Sequence, residues 1–210
     1  MKKIFLFIFI SITTFSQSQG KDTIFLLKGK QANKGNKIYI QQNISTDNYN
    51  SLIDFSKISK IKKENKLNIN LVERWIPLYL YKKKYYTYMP CDLGTYSRVF
   101  LSEKEIVFEG FELINYKLNS KIIYLDKNNY KFSYTNNFKK KVWVSVKIIN
   151  KNKGIAIFKY SNGINNTYQL MVDANKIKSF PIIVNECNEG KAEEFEFDTP
   201  NFKKLLKNHI

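Results

Sequence analysis

Along most of this chain, apolar side chains return at every second position. Val142, Val144, Val146 and Ile148 alternate with Trp143, Ser145, Lys147 and Ile149. Tyr130, Phe132 and Tyr134 alternate with Lys131 and Ser133, and Ile155 and Ile157 with Ala156, Phe158 and Tyr160. Successive side chains on an extended strand point to opposite faces, so this period predicts strands with at least one buried face. Strands are expected near 67–81, 84–89, 97–102, 105–110, 112–118, 121–125, 129–134, 141–149, 154–160 and 166–172. Polar turn signals separate them: "SEKE" at 102–105, "DKNN" at 126–129, "NKNKG" at 150–154 and "SNG" at 161–163.

Strand and turn recurring roughly every 8 to 12 residues predict antiparallel hairpins in a barrel or sandwich. Short connections favour an all-β antiparallel meander, and closing it into an up-and-down or half-open barrel would remove exposed edges. Helix is scarce. "DANKIKSF" (173–180) can form a turn or two with Asp173 as N-cap. "TPNFKKLLKNHI" predicts a C-terminal helix over 200–208, with Thr199 as N-cap, Pro200 at the first helical position, and Phe202, Leu205 and Leu206 on one face. Residues 19–66 read differently, with strands at "DTIFLLK" and "KIYIQQ", loops at "QANKGNK" and "ISTDNYN", and an ambiguous "SLIDFSKISKIKK". They form either an N-terminal appendage or the first strands of the barrel, whose domain spans 67–210.

The first residues change the setting. Lys2 and Lys3 precede an apolar run from Ile4 to Ile12, and Ser16 and Ser18 stand at the small-x-small positions of a cleavage site. Residues 1–18 therefore predict a signal peptide and an exported, periplasmic or secreted protein. A membrane span needs roughly 18 or more apolar residues, and no segment has them. The formal charge is +17, which could draw the protein to an anionic polymer or lipid. Yet Arg74 and Arg98 are the only arginines among many lysines, asparagines and isoleucines. Nucleic-acid recognition leans on arginine's bidentate fork, so no nucleic-acid partner is expected, and AT-rich coding accounts for much of the lysine.

Catalytic chemistry finds few carriers. The one histidine, His209, lies next to the C-terminus, which leaves no positioned imidazole for a nucleophilic triad. Close-spaced metal ligands and Gly-rich phosphate loops are missing from the pattern, so neither metal nor cofactor is expected. The acidic run at 186–198 alternates Phe195 and Phe197 with Glu194, Glu196 and Asp198, which reads as a strand with a charged outer face. Cys91 and Cys187 are the two cysteines, and in an oxidising compartment such a pair is expected to bond. Closing that loop is worth on the order of 4–5 kcal/mol before strain. The competing reading is a thiol at Cys91 activated by Lys82 to Lys84. For ligand contacts the candidates are Arg74, Trp75, Tyr86, Tyr88, Asp92, Arg98 and Trp143, although period two makes many of the aromatics core residues.

Signal peptide, antiparallel meander and terminal helix together resemble the lipocalin-like (calycin) barrels over residues 67–208. Their Gly-x-Trp signature has its counterpart at "ERWIP", with Glu73 at the glycine position. The resemblance implies a small exported β-barrel whose interior can hold an apolar ligand. Two functions then stand side by side. One is a non-enzymatic barrel binding a small, largely apolar ligand. The other is a structural or interaction protein of the cell envelope whose lysine-rich face contacts anionic glycan or lipid. An enzyme working through carboxylates or tyrosines is the weaker third, and the oligomeric state is not encoded legibly.

Overall fold

The computed structural model of the chain describes residues 23–26, 37–43, 47–54, 67, 71–91, 98–110, 112–186 and 194–207. Residues 1–18, Asp92, Cys187 and His209, singled out above, lie outside them. In chain order the strands are β1 (Thr23–Phe25), β2 (Lys37–Gln41), β3 (Arg74–Pro77), β4 (Tyr79–Tyr81), β5 (Lys84–Met89), β6 (Arg98–Leu101) and β7 (Glu105–Glu109). They continue with β8 (Leu113–Lys117), β9 (Ile123–Asp126), β10 (Asn129–Thr135), β11 (Lys141–Asn150), β12 (Ile155–Ser161), β13 (Asn166–Asp173) and β14 (Ile182–Glu186). From β5 onward each of these except β14 falls where alternation predicts it.

Nine strands form one antiparallel sheet in the order β8-β7-β6-β3-β13-β12-β11-β10-β9. It curls into a half-barrel. The chain leaving β8 then runs down the free edge of β10, with Leu118 opposite Tyr134, Ile123 opposite Lys131 and Asp126 opposite Asn129. The Asn119 N–H donates to the Ser133 carbonyl at 2.8 Å. Edge atoms that would otherwise compete for water or another chain are thereby paired. A second sheet has the order β1-β2-β14-β5-β4, and in it β14 runs parallel to β5. A parallel neighbour needs a long crossover. Here the crossover is most of the nine-stranded sheet.

Both faces of the large sheet are buried at its centre. Inside the curl, Phe132, Val144, Phe158, Trp75 and Met171 are almost wholly shielded from solvent. Trp75 meets Phe158 edge-on at 5.3 Å, and Tyr116 stacks on Tyr134 at 4.7 Å. The barrel's middle is thus packed with side chains. On the other face Ile76, Ile157, Leu170 and Val172 join Ile182 and Val184 of the second sheet in one cluster. Burying such side chains stabilises by roughly 1.5–3 kcal/mol each.

Three local expectations need correction. The stretch 67–81 is not one strand. β3 pairs with β13 and β4 with β5, because Pro77 offers no N–H and Leu78 donates to the Leu170 carbonyl as the chain changes sheets. "ISTDNYN" is not all loop, since Asp47 opens helix α1 (Asp47–Ile53), with Tyr49 and Leu52 buried one turn apart. Tertiary packing selects that helix: the Tyr49 hydroxyl donates to the Phe180 carbonyl at 2.6 Å. The terminal helix α2 (Phe202–Lys207) starts after the proline, and Asn201 rather than Thr199 caps it, accepting from the Lys204 N–H at 2.9 Å. Asp173 does cap a short 3-10 helix, Ala174–Ser179.

Candidate functional site: a lysine-rimmed barrel mouth

Strand register gathers one set of chain ends. Asp126 lies opposite Asn129, Asn150 opposite Ile155, and Asp173 opposite Trp75. The β9–β10 turn, the β11–β12 turn, the start of the 3-10 helix and the entry to β3 therefore surround one end of the barrel. Between them lies a cleft of about 440 Å³, within the range of small-ligand sites. Its lining divides by chemistry. Trp75, Tyr130, Val72 and Ile148 supply apolar wall, while Lys127, Lys151 and Lys176 come from the surrounding turns and the acidic Asp173 lines it as well.

The apolar wall is held in place. Trp75 is buried and its indole Nε1 donates to the Val72 carbonyl at 2.8 Å, so the ring presents no unmet polar demand. The rings of Tyr124 and Tyr130 lie 5.5 Å apart, and burial pushes the Tyr130 hydroxyl pKa up, with Tyr124 and Asp126 adding to the effect. Tyr124, on β9, is 54% exposed. It is an open flank beside a closed wall.

The nearby carboxylates are committed to the turns. The backbone N–H of Asn128 and the side chain of Asn129 hold the Asp126 pKa below the ordinary range, through contacts of 2.8, 2.9 and 2.7 Å. One Asp173 oxygen accepts from the Asn175 N–H at 2.8 Å. Lys176 reaches back across the mouth, its Nζ donating to the carbonyls of Lys151 and Asn152 at 3.1 and 2.8 Å. Lys127 and Lys151 pair with no carboxylate among the described residues. Three lysines, two of them without a carboxylate partner among the described residues, thus stand with Asp126 and Asp173 around an aromatic wall.

Gly154 makes the geometry possible. Its φ is +66°, and a Cβ there would lie 2.8 Å from the Asp173 Cβ and 3.1 Å from Lys176 Cδ. Only glycine adopts that turn while letting Asp173 and Lys176 approach so closely. The Gly154 carbonyl in turn accepts from the Asp173 N–H at 2.9 Å.

Of the residues proposed from sequence, Trp75 lines this cleft; the other described candidates lie elsewhere. Arg74 donates to Asn175 Oδ1 at 3.1 Å beside the 3-10 helix. Arg98 forms an ion pair with Glu109 at 2.8 Å, both side chains largely buried, and donates to the Ser51 and Leu52 carbonyls at the end of α1. That is a helix-capping role. Tyr86 and Tyr88 are core of the second sheet. The Tyr88 hydroxyl donates to Glu194 at 2.5 Å and accepts from Asn185 at 3.1 Å. Trp143 lies on the outer wall under Lys131 and Lys141, at 4.9 and 4.1 Å from its ring centroid. Cys91 is separated from β5 by Pro90, with Asp92 and Cys187 outside the described residues.

The acidic run follows the expected alternation in part: among its described residues 194–198 it forms no strand beyond an isolated Leu80–Asp198 bridge, and Glu194 turns inward to the Tyr88 hydroxyl. Phe195 and Phe197 pack on Tyr81 and Tyr79, while Glu196 and Asp198 face solvent. No group of three or more His, Cys, Asp or Glu assembles among the described residues, and no helix among them is long and apolar enough to cross a membrane. The cleft's three lysines were invisible as a set in the sequence. Each sits in a stretch legible as a turn or cap, but lysine is too abundant here for any one to stand out. No family model, curated protein or solved structure matches the chain.

Proposed function

We propose that this protein is an exported, non-enzymatic β-barrel module that binds a small ligand with an apolar body and an anionic end at the barrel mouth. The observation that carries this reading is the pairing, in one cleft of about 440 Å³, of an aromatic wall with three lysines on the rim. The body of the ligand would lie along Trp75, Tyr124 and Tyr130, and its charge would meet Lys127 and Lys151. Because aromatic side chains pack the middle of the barrel, the ligand sits in the mouth and does not thread the barrel. The amino-terminal pattern supports export. The lipocalin-like resemblance implies a ligand inside the barrel, whereas the side chains packed there leave the mouth as the place for one.

A disulfide between Cys91 and Cys187 belongs to this reading. What supports it is that the chain has two cysteines and that an exported protein folds in an oxidising compartment. The parallel register of β5 and β14, with Thr87 opposite Ile182 and Met89 opposite Val184, also sends both chain ends out side by side.

Native mass spectrometry of protein purified without denaturation tests the proposal. The expected result is a retained acidic amphiphile whose removal lowers the melting temperature and whose return restores it. Protein that carries nothing, and whose melting temperature no acidic amphiphile raises, would contradict it.

A further inference from the structure

Two hairpin tips present apolar side chains to water and are built to do so. Phe138, at the β10–β11 tip, is 82% exposed, and Ile164, at the β12–β13 tip, is 86% exposed. In each tip an asparagine two positions earlier fixes the turn. Asn136 Oδ1 accepts from the Phe138 and Lys140 N–H groups at 3.0 Å each. Asn162 Oδ1 accepts from the Ile164 and Asn165 N–H groups at 3.0 and 2.8 Å. Left-handed residues, Lys139 at φ 57° and Gly163 at φ 90°, complete the turns. Ordering a loop so that it holds an apolar side chain in water costs free energy unless that side chain meets something apolar.

The two tips are neighbours. Trp143 pairs with Ser161 across β11 and β12, so both hairpins end on the same side. Charge surrounds them with one sign: residues 127–172 contain nine lysines and no aspartate or glutamate. Lys139, Lys140 and Lys141 adjoin Phe138 directly. Trp143, 37% exposed beneath Lys131 and Lys141, lies just behind the tips, where an indole suits the interface between headgroups and acyl chains.

We propose that the β10–β11 and β12–β13 tips dock the protein on an anionic phospholipid bilayer. Phe138 and Ile164 insert below the headgroups, and Lys139, Lys140 and Lys141 engage lipid phosphate. A soluble anionic glycan would satisfy the lysines but leave the two apolar tips without a partner, so the bilayer is the better fit. The mouth lies at the opposite ends of the same strands, about 33 Å away along ten-residue β11. Docking would leave it open to solvent.

Cosedimentation of the purified protein with phosphatidylglycerol-containing and pure phosphatidylcholine vesicles tests this. The expected result is binding to the anionic vesicles alone, weakened by salt, with a blue-shifted Trp143 emission quenched by brominated acyl chains. The double variant Phe138→Ser/Ile164→Ser should lose at least tenfold in partitioning, while Ile123→Ser/Leu125→Ser, also exposed but on β9 away from the tips, should lose little. Absence of vesicle binding would overturn the proposal. So would binding indifferent to the tip substitutions, or a polyanion such as heparin bound as tightly by the tip variant as by the parent, which would mark a glycan-type lysine surface. None of these outcomes bears on the mouth, whose lining the variants leave untouched.

Discussion

Gly154 is the residue on which the mouth turns. Its positive φ and the 2.8 Å approach a Cβ would make to Asp173 predict that Gly154→Ala destabilises by roughly 1–3 kcal/mol. Urea denaturation measures this, and a change within about 0.5 kcal/mol would mean the turn tolerates a side chain, as ordinary surface sites do. Sequence showed this residue only as the end of a turn signal. The arginines teach the converse lesson. The sequence offers Arg98 as a candidate ligand contact, whereas its planar fork holds Glu109 and the end of α1 and so serves folding. Lys127, Lys151 and Lys176 went unnoticed because a lysine-rich background hides the three that converge.

At the scale of elements, the period-two signal located most strands because one face of each is buried against aromatic or branched partners. It could not locate α1, whose helical form depends on Tyr49 reaching the Phe180 carbonyl. The β4–β5 hairpin shows how turn chemistry departs from the favoured residues. Tyr81 faces Lys84, and both residues between them, Lys82 at φ 48° and Lys83 at φ 64°, are left-handed. Such a turn favours Asn-Gly, and a lysine in that conformation costs roughly 1 kcal/mol. Replacing Lys82→Asn and Lys83→Gly should therefore stabilise by about 1–2 kcal/mol. Thermal unfolding reads the gain, and an unchanged or lowered midpoint would show that the lysines contribute contacts of their own, such as Lys82 over the Tyr81 ring at 5.1 Å.

For the whole molecule, alternation revealed an antiparallel curled sheet but not its strand order. The β5–β14 pairing joins segments with nearly the whole large sheet between them, and no local pattern marks such a partner. The same burial that shaped the core sets a pH limit. Burial is the largest cause that pushes the hydroxyls of Tyr39, Tyr49, Tyr79 and Tyr134 up to about 12. Glu186 adds to the shift at Tyr39, Glu194 at Tyr79 and Tyr116 at Tyr134. Unfolded tyrosine ionises near about 10. The stability these groups contribute is therefore complete below about pH 10 and is lost as pH rises toward about 12. Unfolding midpoints should hold steady to about pH 9.5 and then fall, with the part of the tyrosinate absorbance that belongs to the buried hydroxyls appearing only on unfolding. The full tyrosinate absorbance developing near about pH 10 in protein that stays folded would count against this packing.

The central claim is that the mouth selects an apolar body with a negative end. Calorimetric titration with dodecanoate, dodecanol and dodecyltrimethylammonium, on the parent and on Lys127→Gln/Lys151→Gln, tests it most directly. The account predicts saturable one-to-one binding tightest for dodecanoate, with roughly a tenfold loss of that preference in the variant, as two exposed charge contacts would give. Equal affinities for the three head groups, or no binding at all, would contradict it.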